Sequence, residues 1–340
     1  MVAVGFLVLL LATLFQGSFG ICFKKYQPFS WEAFWALFSI IGVLLMPHIW
    51  CAIFVPDYFS YLTATPMSTL VIGAASGFFW GISSIWYSLA INYIGVSLVT
   101  GINLGLSNLL GSLVPMFVLN KFPSTSSLVL LLVGQAILLG GVAVLSKAGF
   151  MKNDNIETVD ETEKKNKKSS LFMVGFIMAL ASGAGSAAIN IGGSFSAHPV
   201  TLATEAGVPG MYAALLQWPV VFFGGFLANF GYAVYKLIKN KTYTDYTKPG
   251  CAKAYGKVLL TSFVWFAALG VYAMATALLG DFGPVVGWVA FNGLALIVAN
   301  LWGFKDGEWK GFPKAKNVAL IGNAIIIVSL VVVGIANGMA

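Results

Sequence analysis

The sequence is dominated by long apolar runs, and their length constrains the fold more than any other feature. A hydrocarbon core ~30 Å thick is crossed by about 20 residues of helix at 1.5 Å rise each. Runs of that kind occur at 2–22, 32–55, 68–91, 96–119, 127–147, 171–191, 211–235, 257–280, 284–303 and 317–337. Inside lipid every backbone N–H and C=O must find its partner within the protein, so each run is expected to be a helix. Ten membrane-crossing helices of an all-α protein are therefore predicted. The composition agrees, with 59% hydrophobic and 9% charged residues, where soluble domains have ~45–50% and ~25%. The first run has no basic residue ahead of it and no small-x-small cleavage site after it, so it reads as a retained helix rather than a signal peptide. Cys22, Cys51 and Cys251 lie too far apart for a disulfide framework or a metal site.

One stretch occurs twice. Residues 80–95, WGISSIWYSLAINYIG, and 265–280, WFAALGVYAMATALLG, share Trp80/Trp265, Tyr87/Tyr272, Ala90/Ala275 and Gly95/Gly280 at equal spacing. Between the two copies lies the one plainly polar segment, 148–170, with the run NDNIETVDETEKKNKKSS. Mixed charge without apolar residues cannot build a core, so this segment is expected to be a solvated linker. It separates a first five-helix repeat, 1–147, from a second, 171–340. An odd number of spans per repeat sends the second repeat into the membrane from the opposite side, which predicts an inverted-topology duplication of the kind found in secondary transporters. The stretch 192–210 could hold a broken helix.

Orientation follows from lysine, since the chain has no arginine. All nineteen lysines except Lys121 fall in or beside the odd-numbered loops. Positive loops stay in the cytoplasm, so both termini are expected outside and the 148–170 linker inside. The net charge of +7 is thus a topology signal, and nucleic-acid binding is not expected.

The spans lack the ingredients of an enzyme: no Ser/His/Asp set, no paired carboxylates, no phosphate loop and no metal cluster. They carry aromatic, hydroxyl and amide side chains instead. Ser76, Trp80, Ser83, Ser84 and Tyr87 fall on one face of span 3, and Thr261, Trp265, Tyr272 and Thr276 on one face of span 8. Such faces can pack against neighbouring helices, or can cover the C–H face of a sugar ring while hydroxyl and amide groups bond its hydroxyls. Asn103, Asn108, Asn190, Gln217 and Asn292 are expected to face the bundle interior, because an amide in lipid would go unpaired. Gly17, Gly20, Gly101, Gly105, Gly183, Gly185 and Ser186 mark close-packing faces. Among ionisable groups, Glu32 opens span 2 beside Lys24 and Lys25, where an edge ion pair is the plain reading. His48 follows Pro47, and Asp281 begins the turn before span 9.

Several stretches together resemble the L-rhamnose–proton symporter family, a ten-span branch of the drug/metabolite transporter superfamily. They are FKK…FSWEAFW (Phe23 to Trp35), FFWGISSIWYSLAINYIGVSL with Gly101, Gly105, Gly111 and Pro115 after it, Ser182, Ser186 and Asn190, GVPGMYAAL (Gly207 to Tyr212), and GFKDGEW with Lys305, Glu308 and Trp309. The resemblance departs at Tyr26–Phe29, where the family has a second basic pair, and is loose over 259–284. It implies import of L-rhamnose or a related 6-deoxy sugar with a proton, by alternating access across a bacterial inner membrane. No cofactor is implied beyond the proton as coupling ion. The sugar-binding residues expected on this basis are Gln16, Trp80, Tyr87, Asn103, Asn190, Tyr212, Trp265 and Tyr272. Glu32 is the first expectation for proton coupling and Asp281 the second. Export of a metabolite or amino acid is the other reading, and monomer or homodimer is left open.

Overall fold

The computed structural model describes residues 2–22, 25–94, 96–118, 120, 122–154, 165–280, 283–307 and 309–338. All of its long elements are helices: α1 (Val2–Cys22), α2 (Trp31–Phe54), α3 (Met67–Ile94), α4 (Val96–Val118), α5 (Thr125–Asp154), α6 (Lys165–Phe195), α7 (Gly210–Asn240), α8 (Cys251–Leu279), α9 (Gly283–Lys305) and α10 (Pro313–Gly338). Among the described residues there is no strand. Nine of these helices are long and apolar enough to cross a bilayer. For α4 the apolar stretch among the described residues is Ile102–Phe117. The 148–170 segment is not all linker, since α5 runs on to Asp154 and α6 begins at Lys165. The stretch after span 6 is a broken helix: α6 ends at Phe195 and a separate short helix follows, Ala197–Glu205.

Local chemistry explains the irregular helices. Ser30 caps α2, its hydroxyl accepting from Ala33 N at 3.3 Å. In mid-helix α2 widens into a π-helix, Ser39–Leu45, immediately before Met46 and Pro47. Pro47 has no N–H to give and its ring presses on the carbonyl four residues back. The wider turn, in which Met46 N–H reaches Ile41 O, accommodates both. Gly280 ends α8 with φ 85°, a left-handed conformation that glycine adopts without steric cost, which accounts for glycine at that point of the repeated stretch.

Nearly every long helix of the first half packs against helices of the second. α1 lies on α8 and α9, α3 on α6 and α7, α4 on α6 and α9, α2 on α7 and α8, and α5 on α10. The tightest crossing is α3 on α7. A Cβ placed on Gly77 would sit 1.6 Å from Val221 O, and one on Gly224 1.8 Å from Ala74 O, so the two backbones touch. Without a hydrophobic drive between helices in lipid, this approach supplies the packing energy. Gly17, Gly183 and Gly185 serve the same role against α9, α4 and α3, whereas Gly20 faces open space. The largest buried cluster joins α1, α2, α7, α8 and α9 around Trp218, Phe222, Trp265, Phe266, Tyr272 and Phe291.

Candidate functional site: a central cavity

A cavity of about 440 Å³ lies where seven helices of both halves converge. α2 contributes Trp31, Trp35 and Phe38, whose i, i+4, i+7 spacing puts them on one face ahead of the π-helix. α3 contributes Trp80, Ser84, Tyr87 and Ser88 from the face that the sequence marks. α1 adds Gln16 and Phe19, α4 Asn103 and Leu104, and α6, α7 and α8 add Ser186, Asn229 and Trp265. Trp80, Asn229 and Trp265 stand near the middle of their helices. Phe19 and Trp31 lie towards the lysine-bearing ends of α1 and α2, and Ser88 and Asn103 towards the joined ends of α3 and α4 on the same side, so the cavity extends from mid-bundle to that side.

Its walls are flat rings and fixed amides. The two tryptophans of the repeated stretch, Trp80 and Trp265, stack on one another at 5.6 Å and 22°. Trp31 and Trp35 make a second stack at 5.3 Å and 15°. Asn229 ties this wall together: its Oδ1 accepts from Trp35 Nε1 at 3.0 Å and Ser84 Oγ at 2.8 Å, and its Nδ2 donates to Gly225 O at 2.9 Å. Asn103 donates to Ser182 Oγ at 2.6 Å and Ser186 Oγ at 3.0 Å. Gln16 Oε1 is buried with no hydrogen-bond partner, an acceptor that a bound hydroxyl would satisfy. No carboxylate, lysine or histidine is among the described lining residues. The cavity offers ring faces and neutral donors and acceptors.

Glu32 stands beside this cavity rather than in it. It is 6% exposed and accepts from Asn240 Nδ2 at 2.8 Å and Thr242 Oγ1 at 2.9 Å through Oε1. Its described hydrogen-bond partners thus lie on α7 and the turn after it; Lys25 is not among them, and Lys24 lies outside the described residues. Nearby, Asp245 Oδ2 accepts from Ser30 N at 2.7 Å, Asp245 Oδ1 meets Lys248 Nζ at 2.6 Å, and Tyr246 OH donates to Ala33 O at 3.1 Å. The start of α2 is thereby clasped to the 240–248 segment. Burial raises the Asp245 carboxyl, but the hydrogen bonds and charge of Lys248 and the Ser30 N–H more than offset it and hold it below the usual carboxylate range. Burial, with the charges of Tyr255 and Asp245, pushes the Tyr246 phenol up to about 12.

Of the eight expected binding residues, Gln16, Trp80, Tyr87, Asn103 and Trp265 line the cavity, and Asn190, Tyr212 and Tyr272 do not. Asn190 donates to Gly111 O at 2.7 Å and Pro284 O at 3.0 Å, and accepts from Tyr272 OH at 2.8 Å. Tyr272 is 1% exposed. This buried pair lies towards the helix ends away from most lysines. Tyr212 stacks on Phe54 at 5.3 Å and 16° near the ends of α2 and α7. His48 Nδ1 lies 3.3 Å from Tyr58 OH, and Asp281 lies outside the described residues. Asn229 is the lining amide that the sequence reading passed over. The signal was present, since it is an amide in the middle of the apolar run of α7, and the rule that places the other asparagines inside applies to it equally.

The family profile described as L-rhamnose-proton symport protein matches residues 1–340. A protein named L-rhamnose-proton symporter from Cronobacter sakazakii is 27% identical over 327 residues, 94% of this chain and 92% of its own length. Proteins of the same name from Shigella sonnei and Escherichia coli are each 27% identical with the same coverage.

Proposed function

This chain belongs to the L-rhamnose-proton symport protein family, and from that membership we infer that it is a multi-pass membrane transporter importing L-rhamnose with a proton. It is not an enzyme. The observation that carries the substrate reading is the cavity lining: ring faces with neutral amides and hydroxyls, and no fixed charge among the described residues. A neutral sugar with an apolar methyl group fits such a wall, whereas an ionic metabolite would give up hydration without a counter-charge. Gln16, Trp80, Tyr87, Asn103 and Trp265 are proposed to hold the sugar, joined by Trp31, Trp35 and Asn229. Asn190, Tyr212 and Tyr272 keep a packing role. The names of the relatives speak for import and against the exporter reading.

Alternating access needs two arrangements around one site. The helix pairings support an inverted repeat of ten spans: exchanging each helix for the one five places on maps α1–α8 onto α6–α3, and α1–α9 onto α6–α4. The same exchange leaves α5–α10, α2–α7 and α4–α9 in place. With the lysine-bearing loops in the cytoplasm and both termini outside, the cavity opens inward and the Asn190–Tyr272 pair forms the outer seal. Glu32, next to the cavity at its inner end, is the proposed proton carrier, with Asp281 the second candidate. A proton shifts the balance between the two arrangements only if it is held more tightly in one of them.

Uptake of labelled L-rhamnose into proteoliposomes, with and without an inward proton gradient, tests this reading. Gradient-stimulated uptake is expected, and Glu32→Gln is expected to abolish the stimulation while leaving sugar exchange at equal pH. Stimulated uptake that survives Glu32→Gln removes the carrier role from Glu32. No uptake by the unaltered protein removes the substrate.

A further inference from the structure

Next to the central cavity is a second, smaller one of about 250 Å³, towards the lysine-bearing ends of the helices. The two share Trp31, Ile85 and Ser88 as lining residues, so they are neighbouring chambers with Trp31 in their common wall. The second chamber is chemically unlike the first. It adds the phenol ring of Tyr232, 6.2 Å from Trp31 at 71°, and the polar groups of Glu32, Lys236 and Asn240.

We propose that this chamber is a second sugar subsite, occupied by L-rhamnose between the central cavity and the cytoplasm. The subsite rests on the functional reading above. Its chemistry selects a neutral polyol. A carboxylate and an ammonium line the same pocket, so its fixed charges sum to zero and favour neither an anion nor a cation. A sugar hydroxyl can donate to the first and accept from the second. The two rings set at a steep angle cover the C–H face and the edge of a pyranose, while Ser88 and Asn240 supply neutral bonds. Glu32 is held for this task, since its Oε1 is fixed by Asn240 and Thr242. Trp31 contributes to both chambers, so a modest movement of one side chain can pass the sugar from one to the other without exposing it to lipid. The sugar then leaves central bonds for vestibule bonds stepwise, which lowers the barrier to release.

A subsite on one side of the central cavity makes apparent affinity depend on the face from which sugar enters. The test is L-rhamnose counterflow in right-side-out and in inside-out membrane vesicles, for the unaltered protein, Tyr232→Ala and Lys236→Gln. Both residues line the second chamber and neither lines the first. The half-saturating sugar concentration is expected to rise about fivefold for Tyr232→Ala in inside-out vesicles, as one lost ring contact gives. It is expected to stay at the unaltered value in right-side-out vesicles, and Lys236→Gln is expected to shift in the same direction. Should Tyr232→Ala fail to reach the membrane, Lys236→Gln carries the test. Unchanged values at both faces, or equal rises at both, overturn the subsite while leaving the transporter intact. An unaltered protein that shows no counterflow of L-rhamnose in either orientation overturns the functional reading instead, and the sugar named here with it.

Discussion

Replacing Asn229 by alanine tests whether the cavity wall is held by one amide. Asn229 is 1% exposed and bonds Trp35 of α2, Ser84 of α3 and the Gly225 carbonyl of its own helix. Two of these three bonds cross between helices. Interhelical hydrogen bonds in membranes average about 0.6 kcal/mol and reach about 1.7. Losing both is therefore expected to cost roughly 1–3 kcal/mol, since the deleted side chain also leaves a small gap. Ser84 keeps its bond to Gly81 O at 2.8 Å, so the larger share falls on the Trp35 side. The Trp35 ring then gains rotamer freedom that sugar binding must remove again. Ordering one such side chain costs about 0.5–1.5 kcal/mol, a two- to tenfold rise in half-saturation at about 1.4 kcal/mol per decade. The assay is a double-mutant cycle with Trp35→Phe, which keeps a six-membered aromatic ring but gives up the indole N–H together with the five-membered ring; the cycle cancels the lost ring area and leaves the coupling to Asn229. Sugar affinity from tryptophan fluorescence and thermal stability in detergent are measured for both single variants and the double. A coupling near 1 kcal/mol in both quantities is expected. Strictly additive effects would refute the argument, for they would mean that the bond positions nothing.

Four further outcomes follow from the geometry. Gly77→Ala forces a Cβ to within 1.6 Å of Val221 O, so α3 and α7 must part and the variant should fail to accumulate as a folded species on size-exclusion chromatography. Gly20→Ala, with no atom within 4 Å of its new methyl, should elute and melt as the unaltered protein does. Trp265→Leu removes a wall of the cavity and the stack on Trp80, and should weaken L-rhamnose binding by roughly three- to tenfold in a fluorescence titration. The Asp245 carboxyl sits below its ordinary value in the folded protein, so its clasp contributes fully above the unfolded pKa of about 3.9 and is lost as pH falls through the folded value. The stability difference between the unaltered protein and Asp245→Asn should therefore be constant above about pH 5 and shrink below about pH 4.

How much was legible in the sequence depended on the range of the interaction. Hydropathy is a local quantity, and each apolar run had to satisfy its own backbone in lipid. The helices, the all-α class and a break after span 6 were therefore readable residue by residue. So was the inward placement of Asn103, Asn108, Asn190 and Asn292, all of them buried, because an exposed amide in hydrocarbon has no partner. The face of α3 that bears Trp80, Ser84 and Tyr87 followed from helical spacing alone. The family resemblance was carried by motifs spread along the whole chain, and the family profile spans residues 1–340.

What the sequence alone could not decide was which faces meet. Tyr87 and Tyr272 hold the same place in the repeated stretch, yet Tyr87 lines the cavity and Tyr272 is sealed against Asn190. An internal repeat makes two segments alike in sequence. Their surroundings differ because different helices cross at each: Tyr87 faces the cavity, while Tyr272 meets Asn190 of α6 and the Pro284 carbonyl. Trp35 and Asn229 become part of one wall only where α2 packs on α7. Glu32 stands beside Lys24 and Lys25 in the sequence, whereas the bonds described for it come from Asn240 and Thr242. Partners more than two hundred residues away are set by helix crossings, and those depend on backbone approach at glycines such as Gly77 and Gly224. The sequence by itself determined what each segment is, because helix formation in lipid is local. Only the tertiary structure decided which side chains share a cavity, because that is settled where helices cross.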